Sequence, residues 1–345
     1  MFDIDFLAVE NDDSSSTHSG DAIIAHFSVP GRSEPAIVVI DAGYSGTGDE
    51  VADHIRDYYG TDRVDLIIST HPDSDHLNGI KTVLDRCRVD ELWIHQPDLY
   101  IDASAMGNHD KLVEVLDLAI VKGVVIREPF AGLSAFGDSL TVLGPTADYY
   151  KSLVGDIVNA PTTYSAFESA YGSTIVKLAA RALNKVLQYF PIETLRDDDD
   201  DSARNQSSVI LLLDIDGDRL LFTGDAGIEA LNRAADGYEV LHGSFGAAPL
   251  HMFQVPHHGS KHNLGPTVLD RVVGAGAGPR VITAIASSSK SSEKHPSPKV
   301  TNALGRRGAR VLATEGKGIY FHSPGRTRPG WVPIAALPPL EESDS

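Results

Sequence analysis

The chain has 345 residues, 42% of them apolar and 22% charged. That is ordinary for a soluble globular protein with ample core, as one large α/β domain or two small ones. No run of about 18 apolar residues occurs, so neither a transmembrane helix nor a membrane partner is expected. The start, Met1-Phe2-Asp3-Ile4-Asp5-Phe6, is acidic and lacks the basic segment of a signal peptide. The single cysteine, Cys87, has no partner for an internal disulfide and suits a structural role. A cytoplasmic location is the expectation. The formal net charge of −19 argues against nucleic acid. Its distribution argues the other way, because residues 251–332 carry twelve lysines and arginines against three acids. Such asymmetry marks either a polyanion-facing side, with DNA as the partner, or a basic segment of no special role.

In chain order, residues 2–9 alternate loosely as a first strand, 11–20 form a Ser-rich loop, and 21–27 and 36–41 are strands. Asp41-Ala42-Gly43 is a turn, 49–59 a helix, and the apolar run 64–69 a strand buried on both faces. The hexapeptide His71-Pro72-Asp73-Ser74-Asp75-His76 follows, and a helix begins at Leu77. Beyond it lie a strand at 91–95, a helix at 110–122 with Leu112, Val115, Leu116 and Ala119 on one face, and strands at 124–127 and 140–143. His18 and His26 have no evident role.

Residues 146–205 fit this alternation least. They are read as an insertion, a lid or a surface for a protein partner, with a helix over 173–189. The run Asp197 to Asp201 reads as a solvated acidic linker, since like charges repel and calcium loops space their ligands around a glycine. Strands are then expected at 207–214 and 220–223, joined by the turn Asp216-Gly217-Asp218-Arg219, with a helix at 228–235. Further strands at 252–255 and 280–286, a helix from Pro296 to about Gly308, and closing strands at 310–313 and 318–321 complete the pattern. The organisation expected is one domain over 1–335, carrying the insertion, and an acidic tail over 336–345 that is disordered from Leu340.

The hexapeptide sits where a strand gives way to a helix, the end at which α/β sheets place their ligands. Two imidazoles and two carboxylates on one tight turn are costly without a cation among them. Helix capping would use one such residue, Asp75, and leaves the other three unexplained. Two further polar loops follow strands: Gly224-Asp225 after Leu220-Leu221-Phe222-Thr223, and His257-His258-Gly259-Ser260 after Val255-Pro256.

These motifs, in this order, resemble the metallo-β-lactamase superfamily, whose signature is H-x-H-x-D-H. With Asp73 in place of the second histidine, the chain is most similar to the ComEC-like group, the hydrolase domain of the competence DNA-channel protein and its free-standing relatives. Asn205-Gln206-Ser207-Ser208 and Lys294-His295-Pro296-Ser297-Pro298 resemble two further segments of that group, with Lys294 where the group has glycine. The resemblance covers about 5–145 and 205–323 and implies an α/β fold, the four-layer αββα sandwich of the superfamily.

It also implies two divalent metal ions. His71 and Asp73 would hold the first, Asp75, His76 and His257 the second, and Asp225 would bridge them. The histidine that most relatives add to the first site is not evident. Three carboxylates and three imidazoles form a harder set than a histidine-rich one, so manganese or magnesium is expected to serve better than zinc, which both ligand types also suit.

Such a cation pair supplies a hydroxide nucleophile and stabilises the oxygens of a phosphodiester displacement without a serine or cysteine. Asp75 would orient that hydroxide, and His258 or His295 would protonate the leaving oxygen. Ser260, Lys261 and Lys294 are candidate phosphate contacts. The expected function is a metal-dependent phosphodiesterase or nuclease acting on DNA. Two alternatives stand beside it: a hydrolase of a small ester, lactone or phosphorylcholine-type substrate, and a metal-stabilised partner subunit of a defence or DNA-processing system.

Overall fold

A computed structural model describes residues 1–10, 19–159, 192–198, 201–275, 281–292 and 294–342. The helix expected over 173–189 lies outside the described residues, as do Asp199 and Asp200. In chain order the strands are β1 (Phe2–Phe6), β2 (Ala22–Phe27), β3 (Ala36–Ala42), β4 (Arg63–Ile68), β5 (Arg88–Trp93), β6 (Val125–Arg127), β7 (Ser134–Ala135), β8 (Leu140–Gly144), β9 (Ile210–Ile215), β10 (Asp218–Phe222), β11 (Met252–Gln254), β12 (Thr283–Ala286), β13 (Arg310–Ala313) and β14 (Ile319–His322). The helices are α1 (Ser45–Tyr59), α2 (Ser74–Leu77), α3 (Ile80–Arg86), α4 (His109–Lys122), α5 (Ala147–Asn159), α6 (Ala203–Gln206), α7 (Ile228–His242), α8 (Pro266–Val272) and α9 (Pro298–Arg306).

Among the described residues the strands form two seven-stranded sheets, ordered β14-β1-β2-β3-β4-β5-β6 and β13-β12-β11-β10-β9-β8-β7. In the first, β3 to β6 run parallel. In the second, β10 to β13 do. Parallel strands are covered on both faces, and β3 is buried at every position. Its alternate side chains serve two different cores. Ala36, Val38 and Ile40 point between the sheets, where they join Phe6, Leu211, Leu213 and Phe222. Ile37 and Val39 point outward and pack with Val51 and Ile55 of α1, Val83 of α3 and Val115 of α4. On the far side Leu212, Leu221 and Phe253 pack against Leu231 of α7, Leu269 of α8 and Leu304 of α9. The order helix, sheet, sheet, helix is the expected αββα sandwich, and the fold is of the metallo-β-lactamase type.

Helix α1 begins at Ser45, four residues before the expected Asp49. The added turn, Ser-Gly-Thr-Gly, has poor intrinsic propensity, so packing supports it. A Cβ on Gly48 would lie 2.3 Å from the carbonyl oxygen of Gly79, so glycine alone lets the helix start approach the turn before α3. Helix α8 carried no strong periodic signal in its seven residues and was not anticipated.

Two acidic segments are better anchored than their composition suggested. In the aspartate run, Asp197 accepts from the backbone N–H and the hydroxyl of Thr267 at the start of α8. Asp201 accepts from the side-chain amides of Asn205 and Asn263, both at 2.7 Å. These carboxylates serve as hydrogen-bond anchors rather than as parts of a solvated linker. In the tail, Leu337 N–H donates to Val311, Leu340 exchanges two hydrogen bonds with Asn302, and Glu342 accepts from Asn302 and pairs with Arg306. Residues 337–342 are therefore packed against β13 and α9.

The preceding arm is held by charge. Strand β1 turns Phe2, Ile4 and Phe6 into the core and Asp3 and Asp5 to the other face, yet both aspartates are buried. Arg326 pairs with Asp3. Arg328 meets Asp5 through two hydrogen bonds, at 2.6 and 3.1 Å, and lies over the rings of Tyr320, Tyr58 and Trp331. His54 Nε2, at 2.9 Å, and the Tyr59 hydroxyl also meet Asp5, but removing Arg328 takes away the one guanidinium that pairs with this buried carboxylate among the described residues. Arg328→Ala is expected to lower unfolding stability by roughly 3 kcal/mol, read from the midpoint of a urea titration at unchanged slope.

Candidate metal centre

The candidate residues lie at the C-terminal ends of parallel strands, on one edge of the sandwich. From the first sheet, β3 ends in Asp41 and β4 leads through Ser69 and Thr70 into the hexapeptide, whose last part opens α2. From the second, β10 leads to Gly224-Asp225 and β11 to Pro256-His257-His258. The two edges touch directly, since Val209 N–H donates to the Thr70 carbonyl at 3.0 Å. Gly224, at φ +50°, stands where a Cβ would be 2.9 Å from the Thr70 side chain. This close approach explains the glycine before Asp225.

Asp225 is the hub. One of its oxygens lies 3.4 Å from His76 Nε2, and the other lies 3.7 Å from His71 Nε2 and 3.6 Å from His257 Nε2. Asp75 is 3.7 Å from His76 Nε2 and 3.4 Å from His258 Nε2. Asp73 is 3.6 Å from His71 Nε2. Among the described residues, the buried atoms His71 Nε2, His76 Nε2 and Asp225 Oδ1 have no hydrogen-bond partner. Ligands each about 2.0–2.2 Å from one cation stand roughly 3.2–3.6 Å apart. The spacing fits donors gathered for a metal, and His71, His76 and Asp225, like Asp75, His76 and His258, form groups able to hold one.

The imidazoles are set for this from behind. His76 Nδ1 lies 2.7 Å from Asp41 Oδ2, so it donates there and leaves the Nε2 lone pair free. Thr70 takes its backbone N–H and its hydroxyl to Asp41, at 2.8 and 2.6 Å, and its oxygen is 3.1 Å from His71 Nδ1. His257 Nδ1 is 3.0 Å from Asn263 Oδ1, and Asn263 is itself held by Asp201. One carboxylate, Asp41, thus orients both hexapeptide histidines. It does so from a left-handed backbone, φ 54°.

His257 and His258 are also both left-handed, at φ 47° and 56°. This turn sends two consecutive rings to different parts of the cluster. The sequence placed His257 with Asp75 and His76 and left His258 to donate a proton. In the structure His258 is the ring that meets Asp75, while His257 reaches the Asp225 oxygen nearer His71. An i,i+1 pair gives no sequence cue to such a division.

Electrostatics follow from the same contacts. Burial alone would lower His76 and His258, but the carboxylates around them outweigh it. His76 is raised well above its ordinary value by Asp225, Asp75 and Asp41, and His258 is raised to about 9 by Asp225, Asp75 and Asp21. Burial likewise works against Asp225, which His257, His76 and His258 hold well below the usual carboxylate range. Asp73 is held at about 2, against its burial, by His71 and Arg204. His295, whose ring is 6.0 Å from His257 and 6.4 Å from His258, is pushed down to about 3 by burial and by those two histidines. Its charged form is therefore disfavoured there. Asp75 and His257, with side chains 22% and 20% exposed, form the open side of an otherwise buried cluster.

Of the candidate phosphate contacts, Ser260 is buried and its hydroxyl accepts from His262 N–H in a turn. Lys261 is half-buried, and Lys294 is exposed beside His295. Arg306 and Arg307, expected in a DNA track, both pair with Glu193, and Arg307 also pairs with Asp270. Arg310 donates to the Ile334 carbonyl. Arg306 and Arg307 are structural, because the acids that neutralise them come from segments distant in sequence, whereas Arg310 is exposed and meets only that carbonyl among the described residues. Unanticipated contributors are Thr70, Asp41, Asp21, Asn263 and Arg204. Only Asp41 had a visible cue, an Asp-x-Gly turn at a strand end.

Residues 33–145, which include the hexapeptide, match the family model of the metallo-beta-lactamase superfamily. Among solved structures, a candidate metallo-beta-lactamase from Thermotoga maritima is 11% identical at a TM-score of 0.36, covering 65% of this chain and 78% of that one. A diphosphatase of the PhnP family is 11% identical at a TM-score of 0.42, covering 94% of this chain and 98% of that one. No curated protein matches the chain.

The arrangement makes Asp41 decisive for affinity although it faces the backs of the histidines. Asp41→Asn keeps a residue that tolerates the left-handed backbone but removes the anionic acceptor. Metal affinity is expected to fall by about 10- to 100-fold, measured by competition with a chromogenic chelator.

Proposed function

We propose that the protein is a metal-dependent hydrolase of phosphodiesters. The observation that carries this reading is the convergence of two buried imidazole nitrogens, without hydrogen-bond partners among the described residues, on the two oxygens of Asp225: His71 Nε2 at 3.7 Å from one and His76 Nε2 at 3.4 Å from the other. In this reading His71, Asp73 and His257 would hold one divalent ion, Asp75, His76 and His258 would hold a second, and Asp225 would be available to both. Bound there, the ions supply Lewis acidity and an activated water.

The chain's own residues do the rest. Asp75, on the open side and ionised, orients the attacking water by accepting its proton. Asp41, Thr70 and Asn263 fix which ring nitrogen faces the centre. His258 carries its proton only until a metal replaces it, so its role is that of a ligand. A phosphodiester suits the site because its anionic oxygens answer the net positive charge that two cations restore to a carboxylate-rich pocket.

The ligand set now has four imidazoles instead of three, so the manganese preference argued from carboxylate content loses its basis. Zinc and manganese are both proposed to fill the site. The ComEC-like affinity rests on the hexapeptide and the flanks of Asp225 and His258. The DNA reading does not draw on Arg306 or Arg307, whose charges are paired, and a small phosphodiester is the favoured substrate.

The test is hydrolysis of bis(4-nitrophenyl) phosphate, single-stranded DNA, duplex DNA and RNA by stripped protein reloaded with zinc, manganese or magnesium. Turnover is expected to vanish on chelation and to return with zinc or manganese. Asp75→Ala is expected to lose nearly all of it while still folding. Metal-dependent turnover of none of the four substrates removes the proposal, whereas cleavage of DNA but not of the small diester returns the nuclease reading. Loading should also release protons at pH 7, because the surrounding carboxylates raise His258 to about 9 and it must give up its proton to bind. Calorimetry in buffers of different ionisation enthalpy reads that release, and its absence would count against His258 as a ligand.

A further inference from the structure

The four-residue helix α6 carries three consecutive buried polar residues, Arg204, Asn205 and Gln206. Two of them are explained by the fold. Gln206 accepts from Ala230 N–H within α7, and Asn205 donates to Asp201 and lies 3.1 Å from His257 Nδ1. Arg204 is different. Its side chain is 8% exposed, and Nη1 donates to Asp73 Oδ1 at 2.7 Å. Its Nε and Nη2 are buried with no hydrogen-bond partner among the described residues. A guanidinium has five N–H donors in a planar fork and never becomes neutral. Burying one while leaving two nitrogens unsatisfied is costly, and a folded protein retains such a group where something else completes it.

The fork is tied to the hexapeptide itself. Nη1 and Nη2 share one carbon, so the unsatisfied Nη2 stands beside the oxygen of a candidate metal ligand. Lysine would provide the charge for Asp73 with a single ammonium. Arginine provides it with one branch and keeps a second edge in reserve. Planar bidentate donors of this kind match the oxygens of a phosphate or carboxylate.

We propose that Arg204 is a recognition residue for an oxyanion of the substrate: one branch of its guanidinium holds Asp73 and the unpaired Nε and Nη2 bind a non-bridging phosphoryl oxygen. The inference rests on the phosphodiester reading of the site for its choice of oxyanion. It assigns to Arg204 a specificity that the metals lack, since cations also accept neutral esters, whereas a buried fork favours an anion.

The test uses metal-loaded full-length protein and inorganic phosphate as the probe. Arg204→Lys keeps the charge at Asp73 and removes the second edge, and Arg204→Met removes both. Metal content is read by elemental analysis and phosphate affinity by calorimetry. In the lysine variant metal content is expected to stay at the wild-type level while phosphate affinity falls about ten-fold or more. Its KM for bis(4-nitrophenyl) phosphate should rise by more than its kcat falls. Should the methionine variant fail to fold, the lysine variant alone decides. Unchanged phosphate affinity at equal metal content overturns the proposal. So does a joint fall of metal content and phosphate affinity in the lysine variant, which would make Arg204 a prop for Asp73. If the wild type turns over no phosphodiester yet binds phosphate through Arg204, the functional reading fails and the recognition role stands.

Discussion

A buried carboxylate that faces three imidazoles at once is the constraint around which the molecule is arranged. Asp225 lies 3.4–3.7 Å from His76, His71 and His257, farther than the usual length of a hydrogen bond. At that spacing the groups are too far apart to satisfy one another and too close to be indifferent. Everything nearby limits the cost: Asp41 and Thr70 orient rings, Asn263 orients another, and Gly224 lets the second sheet approach the first. The polar edge is therefore a single electrostatic unit contributed by both halves of the sandwich.

That unit explains why the two sheets are in register with each other. The apolar layer between them, with Phe6 against Phe222, is tolerant of small shifts, since its contacts are non-directional. The bond from Val209 to Thr70 and the packing of Gly224 on Thr70 are directional and short. Hydrophobic burial brings the sheets face to face, and the polar edge fixes how far one slides along the other.

The alternation of Ala36, Val38 and Ile40 with Ile37 and Val39 announces a strand with two covered faces, and for that reason the layer architecture is readable from sequence. The hexapeptide is readable too, because four ligand-type side chains on one turn have no inexpensive structural explanation. What could not be read is partnership across the chain. Nothing local distinguishes His257 from His258, because a left-handed turn decides where each points. Arg307 looks like a free cation until Glu193 and Asp270 fold onto it. Asp201 looks like one of five interchangeable aspartates until Asn205 and Asn263 select it. Composition counts charges, and only tertiary structure says which of them are already spent.

The arm that carries Arg326 and Arg328 gives the molecule an order of assembly. Asp5 and Arg328 are separated by 323 residues, yet each completes the other. During synthesis β1 precedes the arm, and until the arm follows, its outward face holds two carboxylates with no guanidinium to receive them. The closure of this side of the first sheet therefore waits for the arm. It couples two parts of the chain far apart in sequence, so that a strand is sealed by a segment made 323 residues after it.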